Sequence, residues 1–211
     1  MPKVECFEKN LDQYEEWFEH HKYAYDSELE AVKMLLPKGG TGLEVGVGTG
    51  RFAGPLGIKI GVEPSHAMGD FAVYRGINVY QSYGESLPFD DKSFSYVLLV
   101  TTICFLNDLN AALSEVYRVL EPFGYIIIGF VNSESRLGKR YIKMKDSNVF
   151  YREARFFSID EVKILLEKSG FKKFIYAQTI FHDPERMKKQ DQVKPGHDQG
   201  SFIVVRGVKS I

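Results

Sequence analysis

The sequence predicts an α/β fold in which a mostly parallel sheet is covered by helices on both faces. Three observations carry this expectation. From residue 41 onward, short apolar runs of strand type alternate with stretches of helical periodicity, as parallel strands joined by helical crossovers do. The first run, Thr41-Gly42-Leu43-Glu44-Val45, breaks at once into the alternate glycines Gly46, Gly48 and Gly50. Glycine lets the backbone turn sharply there and come close to a ligand. Two amphipathic helices fall within residues 1–38, ahead of that turn.

The elements follow in order. The first helix has Leu11, Tyr14, Trp17 and Phe18 on one face, with Asn10 and Gln13 placed as a capping pair. The second has Leu29, Val32, Leu35 and Leu36 on one face, a Ser27-x-x-Glu30 capping box and Pro37 as its stop. Strands are expected at 42–45, 58–62, 78–82, 96–100 and 125–130. Between them lie a short helix near 51–56, one from Ser65 to about Tyr74 stopped by Gly76, and one from about Asp108 to Leu120. Ser158-Ile159-Asp160-Glu161 opens a capped helix that ends near Gly170, and 171–180 and 201–208 read as two closing strands.

At 211 residues the chain reads as one domain, 1–211, with a sizeable core. A net charge of −1 gives no general field for attracting nucleic acid, so no nucleic-acid partner is expected. No apolar run approaches the ~20 residues that span a bilayer, so no membrane partner is expected. Cys6 and Cys104 form no C-x-x-C pair and point to a reducing, cytoplasmic setting. His20-His21 has no further ligands at suitable spacing, and no metal site is expected.

Four segments in order resemble the motifs of class I S-adenosylmethionine-dependent methyltransferases. Glu44-Val45-Gly46-Val47-Gly48-Thr49-Gly50 resembles the strand end [D/E]-x-G-x-G-x-G. Val62-Glu63-Pro64-Ser65-His66-Ala67-Met68 is similar to the second motif, and Gly84-Glu85-Ser86-Leu87-Pro88-Phe89 to the third. Leu120-Glu121-Pro122-Phe123-Gly124 is similar to the L-x-P-G-G turn, with Phe123 in place of the first glycine. The resemblance covers roughly residues 41–130. It implies a Rossmann-like, doubly wound, seven-stranded sheet of order 3-2-1-4-5-7-6 with an N-terminal helical segment. Its nearest relatives would be the broad small-molecule group that includes ubiquinone and menaquinone biosynthesis enzymes, which the stretch 14–18 also resembles.

S-adenosyl-L-methionine is the cofactor so implied, and the acceptor would be a small molecule. Gly46, Gly48 and Gly50, with Val45, would surround its amino-acid end; Glu44 would pair with its ammonium or cap loop N–H groups. Glu63 would accept the ribose hydroxyls, or serve only as a helix N-terminal acid. Pro64 and Met68 would cover one adenine face, or Met68 would fill the core. Gly84, Glu85, Ser86 and Leu87 would read the adenine, the plainer alternative being a solvated acidic loop. Thr101 would lie near the sulfonium. The frame 48–53 also fits a permissive dinucleotide fingerprint, which leaves an NAD-dependent oxidoreductase as the rival enzyme and a non-catalytic cofactor-binding domain as the rival outside enzymes.

No catalytic residue is singled out. Tyr14, Tyr23, His20, His21, His182 and His197 are equal candidates for a base. The segment after the fourth strand, Val100-Thr101-Thr102-Ile103-Cys104-Phe105, lacks the Asp/Asn-Pro-Pro-aromatic motif of base-amino methylation. Residues 131–157, with Arg136, Lys139, Arg140, Lys143 and Lys145 among aromatics, read as a substrate lid or a solvated basic helix. The polar segment 182–199 is a second candidate for the acceptor side.

Overall fold

The first sequence element, in the computed structural model, is a helix that periodicity did not reveal. The structure describes residues 2–210. Three helices precede the sheet instead of two: α1 (Pro2–Lys9), α2 (Leu11–His20) and α3 (Lys22–Leu35). At 8 residues α1 is too short for an apolar period to stand out, and tertiary contacts hold it. The Phe7 ring meets Phe105 edge-on at 4.9 Å and stacks on Phe150 at 5.3 Å.

Both N-terminal capping expectations are corrected. Asn10 precedes α2 without capping it; its amide donates back to the Cys6 carbonyl, closing α1 instead. Ser27 lies inside α3, and its hydroxyl donates to the Tyr23 carbonyl one turn earlier. The apolar face of α3 begins before the presumed box, because Ala24 is also buried.

From residue 42 strands and helices alternate: β1 (Gly42–Val45), α4 (Ala53–Leu56), β2 (Ile60–Val62), α5 (His66–Tyr74), β3 (Asn78–Tyr80), β4 (Phe94–Val100), α6 (Leu109–Val119), β5 (Leu120–Val131), α7 (Arg136–Lys143), α8 (Ile159–Lys168), β6 (Phe171–Thr179), β7 (Lys194–Pro195) and β8 (Phe202–Lys209). Ser65 caps α5 and Asp108 caps α6. Ser158 and Glu161 form the expected reciprocal box on α8.

The sheet has eight strands in the order β3-β2-β1-β4-β5-β8-β6-β7, which corrects the expected seven in the order 3-2-1-4-5-7-6. Strands β1 to β5 pair in parallel, whereas β8, β6 and β7 join antiparallel. The added strand, β7, is two residues long and lies at the far edge. The Gln178 side chain fixes it, its amide donating to the Pro195 carbonyl and Asp198 while its oxygen accepts from Gln199 and Gly200. So short an edge strand ending in proline leaves no periodic signal.

Because side chains alternate along each strand, the sheet has a core on either face. Leu43, Val97, Leu99, Ile126 and Ile128 pack with Leu113 and Val116 of α6 and Val162 and Leu166 of α8. Leu98, Val100, Ile127 and Val204 pack with Phe18, Val32 and Leu35 of the N-terminal helices.

The β5 strand starts earlier than expected, at Leu120, through an irregular register against Phe94 and Tyr96. Phe123 sits in that irregular stretch at φ 65, the left-handed conformation for which glycine is suited, and is 59% exposed. Phe123→Gly is therefore expected to raise thermal stability. The gain should be about 0.5–1 kcal/mol, since a left-handed non-glycine costs about 1–2 kcal/mol and glycine's extra unfolded-state freedom offsets part of it. A thermal melt at matched pH checks this; a lower midpoint would contradict it.

Strands β2 and β4 both flank β1, so the order reverses at β1, and the carboxyl ends of these strands border one crevice. That crevice collects most of the candidate residues.

Candidate active site

The turn after β1 is built from backbone that side chains would obstruct. Gly46, Gly48 and Gly50 have φ of 70, 53 and 83, all left-handed. A Cβ on Gly46 would lie 2.4 Å from Thr102 Cγ2, and one on Gly50 2.4 Å from Ile77 Cδ1. The Gly46 and Val47 amides donate to the Val62 carbonyl at 2.8 and 3.0 Å, which fastens the turn to the end of β2.

Glu63, the next residue after β2, reaches back to this turn. Its carboxylate accepts from Gly48 N at 2.9 Å and from Ser65 N at 3.0 Å. Burial pushes its carboxyl up to about 7, opposed by those two N–H groups, while the Glu8 carboxylate raises it further. Glu63 lines a cleft with Val45, Gly46, Gly48, Pro64, Met68, Gly84, Glu85 and Thr101.

Four expected residues lie outside this cleft: Ser86, Leu87, Gly50 and Glu44. Ser86 is exposed, and Leu87 points into the core while its amide donates to Glu115 at 2.8 Å. Gly50 supports the turn from beneath and does not border the cleft. Glu85 does border it, but its carboxylate also accepts the Asn107 amide at 2.7 Å, holding the loop before α6.

Thr101 follows β4 at φ 54, an outlying conformation for a β-branched residue. Strain of this kind concentrates at functional sites. The Thr101 amide donates to the Gly129 carbonyl at 2.8 Å, which fixes the bend. Gly46, Val100 and Thr101 border the cleft on one side and a second, larger cavity on the other. Glu44 opens to the second cavity. It is 2% exposed, and burial drives its carboxyl well above the usual range, partly opposed by the Ala53 amide. Its Oε2 is buried without a hydrogen-bond partner among the described residues.

The N-terminal helices close the roof, a part of the site that sequence reading largely missed. Tyr14 borders both cavities, and its hydroxyl would be 3.1 Å from a Cβ on Gly48. Burial pushes its phenol far up, and Glu63, Glu44 and Glu15 add to the effect. At neutral pH Tyr14 therefore keeps its proton. Phe7, Phe105 and Thr102 are further wall residues. Only their tertiary placement marks them, apart from the position of Thr102 after β4.

Glu15 ties this roof to the glycine turn. Its carboxylate accepts from Arg51 Nη2 and Arg75 Nη2, each at 2.6 Å, and from the Thr49 hydroxyl. Burial alone would raise its carboxyl, but the hydrogen bonds from Arg75, Arg51 and Thr49 outweigh it and bring it down to about 2. His182 and His197 line a separate hollow with Asp160 and Gln199. Among the described residues, no cluster of three His, Cys, Asp or Glu could hold a metal ion, and no helix is long and apolar enough to cross a membrane.

Known proteins are similar to this chain in sequence and fold. Residues 43–128 match the family model for a methyltransferase domain. A crystal structure from Thermotoga maritima, described as a SAM-dependent methyltransferase and possible histamine N-methyltransferase, is 50% identical, with a TM-score of 0.96 over 98% of this chain and 99% of that one. An uncharacterized protein of Methanocaldococcus jannaschii is 42% identical over 98% of this chain and 100% of its own length. The ubiquinone/menaquinone biosynthesis C-methyltransferase of Rickettsia bellii is 28% identical over 51% of each chain. This chain belongs to the class I S-adenosylmethionine-dependent methyltransferases, enzymes that carry a methyl group from that cofactor to an acceptor.

Proposed function

We propose that the enzyme methylates a small molecule by in-line displacement within one enclosed site. The junction of two cavities at Gly46, Val100 and Thr101 carries this reading. The first cavity suits the cofactor. The Gly46–Gly48 backbone surrounds its amino-acid end without obstructing side chains, and the orphaned Glu44 Oε2, on the second-cavity side of Gly46, offers its ammonium a buried acceptor across the junction. Glu63 accepts the ribose hydroxyls, Pro64 and Met68 cover the adenine, and Gly84 and Glu85 read its edge. The 131–157 segment, which brings Tyr141 and Tyr151 to the second cavity, serves as the acceptor lid.

When bound, the cofactor supplies an already activated methyl group on a sulfonium. The chain's task is then chiefly alignment and exclusion of water, which can contribute on the order of 7–11 kcal/mol. Thr101 and Gly46 hold the two ligands in line, and Tyr14 and Phe7 shield the junction. Tyr14, held protonated, donates a hydrogen bond and does not act as the base.

Two titrations and one screen test this reading. S-adenosylhomocysteine is expected to saturate the protein and NAD to show no binding. With labelled methyl donor, label should pass to members of a small-molecule panel. Saturable binding of NAD alone, or transfer only to protein or RNA, would contradict the proposal.

The state of Glu63 adds a pH dependence. Ribose hydroxyls donate to the ionised carboxylate, so binding favours loss of a proton that burial retains up to about pH 7. Affinity for S-adenosylhomocysteine should fall by up to about tenfold per pH unit below 7 and level off above it. Glu8, Glu44 and Tyr14 are the other titratable groups facing this end of the cleft. Glu44 bends the profile the same way, so the decisive comparison is Glu63→Gln. That variant should bind about 1.5–3 kcal/mol more weakly at pH 8 and show a shallower profile. Calorimetry at pH 6, 7 and 8 measures both; an unchanged profile would remove Glu63 from the site.

A further inference from the structure

The second cavity contains a buried acid without a partner among the described residues. Glu28, on α3, is 7% exposed and faces this cavity. Its carboxylate has no hydrogen-bond or ion-pair partner among the described residues, and burial alone pushes it up to about 8. Both arginines lining the same cavity are already engaged. Arg51 is held by Glu15 and Glu19, and Arg140 Nη1 contacts both Asp183 oxygens at 2.8 Å. Each guanidinium is thus paired with a carboxylate, although Arg140 Nε has no hydrogen-bond partner among the described residues, whereas Glu28 has no partner at all among them.

Around Glu28 the walls are aromatic. Tyr141 and Tyr151 lie with ring centroids 4.8 Å apart, and Glu28, when ionised, raises both phenols. Trp17 and Phe150 complete this wall. Aromatic faces beside a lone carboxylate are the chemistry that receives an organic cation. A cation seated there would favour the ionised form of Glu28, whereas an anionic acceptor would favour its protonated form and gain no ion pair.

We infer that Glu28 is the specificity-determining anchor for the acceptor, which enters as a small organic amine with its ammonium between the Glu28 carboxylate and the Tyr141–Tyr151 faces. The rest of the acceptor then points toward Gly46 and Thr101, where the two cavities meet. The inference rests on the reading that the adjoining cleft holds S-adenosylmethionine.

The test separates the two. The protein is first titrated with S-adenosylhomocysteine; failure to bind it would defeat the functional proposal and this inference together. The loaded protein is then titrated with tryptamine and 2-phenylethylamine, and with tryptophol and 2-phenylethanol, their neutral alcohol counterparts. At least one amine should bind saturably, about tenfold or more tighter than its alcohol, as a charged hydrogen bond in a buried site implies. Glu28→Gln should erase that preference while leaving the affinity for S-adenosylhomocysteine unchanged, a split that a purely structural role for Glu28 would not produce. Equal binding of amine and alcohol by the unmodified protein, no amine binding, or a preference that survives Glu28→Gln would each overturn the assignment. The comparison on unmodified protein stands even if the variant folds poorly.

Discussion

Gly48→Val should abolish binding of S-adenosylhomocysteine in a protein that still folds. Residue 48 has φ 53, and its amide is spent on Glu63. A valine there adds a branched side chain on the cleft wall, with its Cβ already 3.1 Å from the Tyr14 hydroxyl. The left-handed backbone costs an L-residue about 1–2 kcal/mol, which a domain of this size can absorb. The methyl groups, by contrast, fill space proposed for the amino-acid end of the cofactor, and the close-packed walls cannot retreat. Circular dichroism should show native secondary structure, while calorimetry should show no saturable heat. A folded variant that keeps its affinity would move the site away from the turn.

Glu15→Ala should be the most destabilising change in the N-terminal segment. Arg51 and Arg75, whose side chains are 17% and 25% exposed, both lose their main partner, and Thr49 loses its acceptor. Breaking a buried pair costs about 3–5 kcal/mol; the water these guanidiniums retain places the expectation near about 3 kcal/mol. For a chain of this length, that lowers the melting midpoint by roughly 6–12 °C. The sign with pH is fixed by the lowered carboxyl. Its contribution is complete above the ordinary 4.5 and is lost as pH falls through about 2. The variant should therefore melt early at neutral pH and differ least from the unmodified protein near pH 2. A midpoint shift of only a degree or two at neutral pH would show that the roof is held by other contacts.

Much of the fold was legible in the sequence because its signals are local. Ser65, Asp108 and Ser158 are side-chain caps, which act within three residues of themselves. The β1 strand, with its acid and following glycines, combines a strand end and a left-handed turn in ten residues. What stayed hidden depends on distant partners. Helix α1 is held by Phe105, Phe150 and Ser65, none of which is near it in sequence. Ser27 looked like a cap because a Ser-x-x-Glu spacing cannot reveal that the helix has already begun at Lys22. The edge strand β7 depends on Gln178, sixteen residues before Lys194.

The candidate site divides in the same way. The cleft proposed for the cofactor is bordered by strand ends whose turn chemistry the sequence displays, and Gly46, Gly48, Glu63, Pro64 and Met68 all line it. Ser86 and Leu87 lie away from it, because a linear motif does not say which side chains turn inward. The wall proposed for the acceptor is assembled from α2, α3 and the 131–157 segment, with Glu28 of α3 among aromatics from the other two. Nothing in the spacing of those residues announces that they meet.

A crystal structure with S-adenosylhomocysteine bound would test the central claim most directly. The ribose hydroxyls should lie within hydrogen-bond distance of both Glu63 carboxylate oxygens, with the amino-acid end against Gly46–Gly48 and the sulfur at Thr101. Density for the ligand in any other part of the molecule, with that cleft empty, would contradict it.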